Sequence, residues 1–161
     1  MARMAGGAKP VSFEPRIVNR RALHDYFITS RLECGIALAG SEVKSVRLGR
    51  AQLQDAYATV EDGQLTLHNC HIDPYEQAAA LNHDPKRDRK LLAHKREIRR
   101  LAQETSQRGV TLIPLAMYFK RGLVKVEIGV ARGKRQYDKR QAIRQREQER
   151  ELRRMTRRRD R

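Results

Sequence analysis

Three groups of residues in this chain have types and spacings that invite a chemical reading. His68-Asn69-Cys70-His71 puts three metal-ligating side chains into four positions. On a strand, His68 and Cys70 share one face while His71 takes the other, so three ligands cannot converge from this run alone. No CxxC and no second His/Cys pair completes a zinc site. Cys34 and His24 supply a nucleophile and a base in name, but nothing in their flanks resembles an activated elbow. Asp84 and Asp88 suggest a metal-dependent nuclease, yet they are interleaved with Lys86, Arg87, Arg89 and Lys90, which reads as capping and charge balance. Gly35, Gly129 and Gly133 are isolated glycines, not a phosphate loop. The sequence predicts no catalytic residues, no metal and no cofactor.

What the chain does carry is positive charge. Arg132–Arg161 holds fourteen Lys/Arg against five Asp/Glu, a net of +9 out of +16 for the whole protein. Such a segment has too little apolar surface to offset its ordering entropy, so it is expected to be disordered alone and to order on a polyanion. With a pI near 10.7, the expected partner is nucleic acid, bound mainly through phosphates and therefore sensitive to salt. No apolar run approaches 18 residues and no lipidation motif is present, which argues against a membrane. Two cysteines without a secretory signal point to reduced, buried thiols and a cytoplasmic setting. Beside an RNA surface, Glu33 has two readings: it accepts from a base amino group, or it is salt-bridged to one of the many nearby arginines.

The elements that must position these residues follow from periodicity. Tyr26–Thr29 and Ile36–Leu38 have short-strand composition, and Ser41 is a good N-cap for a helix closed by Gly49, with Glu42 at its positive end. Tyr57–Val60 and Gln64–Ile72 flank Asp62-Gly63, a strong two-residue hairpin signal. A helix is predicted from Asp84 or Asp88 to about Arg108, burying Leu91, Ile98, Leu101, Ala102 and Thr105. Leu92 then falls among Lys95, Arg96 and Arg99, either as a contact within a basic stripe or as an ordinary exposed leucine. Val110–Phe119 is a strand with an edge or bulge at Pro114. After Lys120-Arg121-Gly122, Val124, Val126, Ile128 and Val130 alternate with Lys125 and Glu127. About six short antiparallel strands with two or three helices predict a mainly β chain built on a small closed barrel. The expected layout is a flexible lead-in over 1–15, a barrel over 16–131, and a basic tail over 132–161.

Asn19-Arg20-Arg21-Ala22, Glu33-Cys34-Gly35-Ile36-Ala37-Leu38-Ala39-Gly40-Ser41-Glu42-Val43-Lys44-Ser45, Arg89-Lys90-Leu91-Leu92 and the run Gly129–Arg140 together resemble the SsrA-binding proteins, or small protein B. The resemblance covers about Asn19 to Arg140 in order. It implies a six-stranded barrel of the oligonucleotide-binding type, no enzymatic activity, and transfer-messenger RNA as partner in the rescue of stalled ribosomes. It places the RNA contacts at Tyr26, Glu33, Leu92 and His94, with His94 standing where relatives carry asparagine, and extends the RNA surface to Asn19, Arg20, Arg89 and Lys90. For the tail, it implies that Gly133, Lys134, Arg135, Tyr137 and Asp138-Lys139-Arg140 meet the 16S rRNA decoding centre and the mRNA channel, with the segment helical on the ribosome. Elongation factor Tu, reached through the charged RNA, and a monomeric state complete the expectation.

Overall fold

In the computed structural model, which describes residues 14–134 and 136–159, the chain runs β1 (Ile17–Val18), α1 (Arg20–Asp25), β2 (Tyr26–Ile36), α2 (Gly40–Arg47), β3 (Ala51–Gln52), β4 (Tyr57–Glu61) and β5 (Gln64–His68). It continues β6 (His71–Ile72), a 3₁₀ turn (Glu76–Leu81), β7 (Arg89–Leu92), α3 (Lys95–Thr105), β8 (Val110–Lys120), β9 (Leu123–Gly133) and α4 (Gln136–Arg159). Most of the lead-in, together with Arg135 of the tail, lies outside the described residues.

The hydrogen-bonded order β8-β4-β5-β7-β2-β9, with β9 pairing back onto β8, closes six antiparallel strands into a ring. The six-stranded barrel is therefore as expected. β1 lies outside the ring against β8, and β3 and β6 form a separate ribbon. Closure leaves the barrel strands without long free edges. Asp62 and Gly63 take φ of 51° and 73°, the two positive values that a type I′ hairpin needs between β4 and β5. The register slips between Pro114 and Ala116, so the proline marks a bulge inside β8. Nearby, a Cβ on Gly129 would lie 2.9 Å from Leu115 and 3.1 Å from Ile28, so this corner of the barrel requires glycine.

The core is filled by Leu65, Leu67, Leu91, Leu112, Met117, Val126 and Ile128 from the barrel wall. Val46 of α2 and Ile98 and Leu101 of α3 plug the ends. Each such side chain, fully buried, stabilises the fold by roughly 1.5–3 kcal/mol. The alternation along β9 holds, with Val124, Val126, Ile128 and Val130 all buried.

Four elements differ from the sequence expectation. The predicted long helix starts only at Lys95 and ends at Thr105; Arg89–Leu92 is a strand. Leu91 pairs with Leu65 on one side and Ile36 on the other, so two ladders hold this stretch extended against its helical spacing. β2 is one eleven-residue strand, not two short pieces. α2 starts at Gly40 with Ala39 as its N-cap, while Ser41 bonds the His83 ring instead. β9 also extends to Gly133, past the expected barrel boundary at 131.

The tail is drawn as α4. Among its described side chains, Arg140–Met155, all are exposed except Ala142, which is half-buried. Its helicity rests on good helix formers and on Glu147, Glu149 and Glu151 spaced three or four from arginines, not on a buried face. A helix of this kind is marginal in water.

Candidate nucleic-acid interface

The site is built around the C-terminal end of β2. Cys34 points into the core, which turns Glu33 and Gly35 outward. Gly35 pairs with Leu92 of β7 on one side and with Lys125 of β9 on the other. A Cβ at Gly35 would come 3.3 Å from the Leu92 Cβ, so glycine lets the leucine lie close against the strand. Leu92 is 51% exposed there. It belongs to a strand, not to the cationic stripe of a helix, and stands as an outward apolar group beside outward Lys90 and Lys125.

Glu33 is held from β8. Tyr118 donates its hydroxyl to one carboxylate oxygen, and the Lys120 ammonium donates to the other at 2.9 Å. These hydrogen bonds, Tyr118 first and Lys120 second, hold the Glu33 carboxyl below the usual carboxylate range. Burial, and then the bond to Glu33, push the Tyr118 hydroxyl up to about 12. Glu33 is therefore ionised at neutral pH and fixed in direction. The salt bridge is to Lys120 where an arginine was expected, and each carboxylate oxygen keeps a lone pair. The Arg16 guanidinium lies 4.6 Å from the centroid of the Tyr118 ring and reaches Glu127 at 3.5 Å; Arg31 reaches the same carboxylate at 3.4 Å. Sequence reasoning missed Tyr118 and Lys120 as supports, although their spacing of two on one strand puts them on one face.

His94 caps α3. Its backbone N–H donates to Glu97 at 3.0 Å and its side chain is exposed, close in sequence to Leu92. Lys90 and Arg20 are also exposed. Two expected RNA contacts are not surface groups. Arg89 is 0% exposed; it donates to Glu42 at 2.8 Å and to the carbonyls of Cys70, Arg87 and Pro85 at 2.6, 3.1 and 3.1 Å. It is buried because residue 89 shares the inward face with Leu91. Asn19 is 6% exposed, and its amide is committed to the carbonyls of Leu53 and Pro114 while its oxygen caps α1 through Ala22. Both side chains spend their polar groups on partners within the fold.

The other end of β2 carries the root of the tail. Tyr26 pairs with Gly133, and the Lys134 amide donates to the Asp25 carbonyl at 2.9 Å. The Lys134 ammonium sits 4.9 Å from the Phe27 ring centroid. A Cβ on Gly133 would meet nothing within 4 Å, so no packing within the chain demands glycine there. Tyr137, Asp138, Lys139 and Arg140 fall in the first turns of α4, whose described side chains begin at Arg140. Seven residues separate Tyr26 from Glu33, about 23 Å of strand, so the expected RNA contacts form two clusters and not one.

The histidine-cysteine run is ordinary structure. His68 bonds Thr59 and Asp88, His71 bonds Asp73, and Cys70 is buried. No group of three metal-ligating side chains comes together among the described residues. Burial pushes the Cys34 thiol up to about 12 and the Cys70 thiol up to about 11, away from any reactive thiolate. No described helix is long and apolar enough to cross a membrane.

Known proteins resemble this chain in sequence and in fold. The family model described as SmpB protein matches residues 16–158. The SsrA-binding protein of Carboxydothermus hydrogenoformans is 54% identical over 134 residues, covering 83% of this chain and 90% of that relative. That of Caldicellulosiruptor bescii is 58% identical over 135 residues, covering 84% and 85%. A chain from the solved structure "tmRNA-SmpB: a journey to the center of the bacterial ribosome" is 50% identical and superposes with a TM-score of 0.66, covering 81% of this chain and 95% of that one. A family model matched over residues 16–158, with relatives more than half identical over most of the chain, makes this chain a member of the SmpB family of SsrA-binding proteins.

Proposed function

We propose that this protein is the RNA-binding adaptor of trans-translation, not an enzyme: its barrel binds the tRNA-like domain of transfer-messenger RNA and delivers it to stalled ribosomes. The observation that carries this reading is the outward constellation Glu33, Gly35 and Leu92 at one end of β2, with the cationic tail rooted at the other. The first supplies a fixed acceptor and an apolar contact on a basic surface, which is how a folded RNA is recognised by shape and edge. Lys90 and His94 extend that surface, while Tyr26, with Arg20 on the preceding helix α1, belongs to a separate cluster towards the root of the tail.

The second end senses the ribosome. α4 enters the decoding centre and the mRNA channel, where intact mRNA competes with it by volume and by charge, so only a vacant channel admits a cationic helix. Lys134, Arg135, Lys139 and Arg140 meet rRNA phosphates, and Tyr137 stacks on a base for roughly 1–3 kcal/mol. Gly133 and Asp138 set the path of the chain into the helix. The protein acts in the cytoplasm as a monomer and meets elongation factor Tu through the charged RNA.

Paired variants test this division of labour. Replacing Lys139 and Arg140 by alanine is expected to leave binding to isolated transfer-messenger RNA within about twofold while abolishing peptide tagging on stalled ribosomes. Leu92→Asp is expected to do the reverse, weakening the RNA complex by ~1–3 kcal/mol. Loss of free-RNA binding in the tail variant, or unchanged affinity in Leu92→Asp, overturns the assignment.

A further inference from the structure

A hollow of 370 Å³ opens beside α1, at the tail end of β2 and away from Glu33 and Leu92. Ala56 and Ile113, both nearly fully buried, supply apolar lining. Tyr26 and Tyr57 line it as well, and Arg21, Asp25 and Asp55 bring charge to it. Arg21 bonds both carboxylates, Asp25 at 3.3 Å and Asp55 at 3.2 Å. Aromatic rings over an apolar base, with a guanidinium and carboxylates alongside, suit a flat heteroaromatic group with polar edges.

Tyr57 is preset for this task. Its ring stacks on His68 at 5.1 Å between centroids and 27° between planes. The imidazole is locked in turn, Nδ1 on Asp88 at 2.9 Å and Nε2 on Thr59 at 2.8 Å. One face of the tyrosine is thus supported while the residue stays 46% exposed. A stacking platform held in place before binding loses little entropy when a ring settles on it. Asp55 is similarly placed, with φ of 64° and its carbonyl bonded by the Asn69 amide at 3.1 Å. Its carboxylate is 65% exposed and directed to Arg21, so it is accessible to the amino group of a base. The Lys134 amide on the Asp25 carbonyl brings the basic tail to this edge of the barrel.

We propose that this hollow is a nucleobase site: an unpaired base of RNA enters it against Tyr26 and Tyr57, and Arg21 and Asp55 meet its polar edge. The proposal rests on the RNA-binding reading above and adds a second base contact about 23 Å along β2 from Glu33. The base comes from transfer-messenger RNA or from ribosomal RNA, and the two sources separate in the test.

The chain has no tryptophan, so Tyr57→Trp places a single indole at the site. Its fluorescence is to be followed while the full-length protein is titrated with transfer-messenger RNA alone, then with vacant ribosomes. Quenching by the RNA alone identifies that RNA as the source; quenching only by ribosomes identifies ribosomal RNA. In binding assays with the quenching partner, Tyr57→Ala is expected to weaken the complex roughly fivefold to a hundredfold, and Tyr57→Phe to restore it. Thermal melting of each variant separates loss of the contact from loss of the fold. No quenching by either partner, in a Tyr57→Trp protein that melts as the parent does and binds RNA, overturns the nucleobase site and leaves the adaptor reading standing. Failure of the unaltered protein to bind either RNA overturns both.

Discussion

Glu42 ties together more of the molecule than any surface charge. Its carboxylate is fully buried and accepts from the Arg87 guanidinium at 2.8 and 2.6 Å, from Arg89 at 2.8 Å and from the Ala39 amide at 2.7 Å. Burial alone raises its pKa, but the Arg87 and Ala39 hydrogen bonds and the Arg89 charge prevail and hold it below the ordinary value near 4.5. A depressed folded pKa means that its contribution to stability is complete above that pH and is lost as pH falls through the folded value. Glu42→Gln keeps the volume but turns an amide donor toward guanidinium donors, so a loss of about 3–5 kcal/mol is expected in urea unfolding at pH 7. The loss relative to the parent shrinks once the parent carboxylate is itself protonated by acid. A difference that stays constant down to pH 3 would reject the coupling. None of this was legible beforehand. Glu42 reads locally as an anion at a helix start, and Arg89, 47 positions away, reads as one more cation in a basic run.

At the scale of elements, the sequence speaks clearly where the signal is local. Asp62-Gly63 specifies its hairpin because few other residue pairs tolerate two positive φ values, and Pro114 marks a bulge because it cannot donate to a ladder. Arg89–Leu92 misleads because Leu91 lies at helical spacing from Ile98, while the partners that hold it extended, Leu65 and Ile36, are far off in sequence. α1 escapes notice because six residues are too few to show a period; only Asn19, three before the Ala22 amide it accepts from, announces it. The site follows the same rule. Glu33 and Leu92 stand out in the sequence as candidates with two readings each, between which the resemblance chooses, whereas Tyr118 and Tyr57 need the barrel to bring them to their partners. α4 yields a prediction of its own kind. A proline at Glu149 costs a helix interior about 3 kcal/mol, more than an unpacked helix can absorb. Far-UV circular dichroism should lose much of the α4 signal while the melting temperature of the barrel and its affinity for transfer-messenger RNA stay unchanged, and tagging should fail. A lowered barrel melting temperature would show that α4 packs on the body.

For the molecule as a whole, +16 of charge makes some attraction to any RNA unavoidable, so discrimination has to come from the fixed groups. Binding to transfer-messenger RNA and to ordinary tRNA should weaken together as salt rises, with a slope set by the number of phosphates neutralised. A preference of about tenfold or more for the former should survive near 0.2 M salt, because base-edge and apolar contacts do not screen as phosphate contacts do. Equal affinities at every salt concentration would instead describe a protein that binds rRNA by charge alone. β2 adds a mechanical side to this. It is laced to β9 from Tyr26–Gly133 to Gly35–Lys125, with a single slip at Ile28/Ser30, and the ring around it is closed. The span from Leu92 to the first residue of the tail is therefore a gauge of set length. Whatever seats at one end, the root of the tail at Gly133 stays at a fixed offset from it, so the barrel acts as a spacer between its two ends.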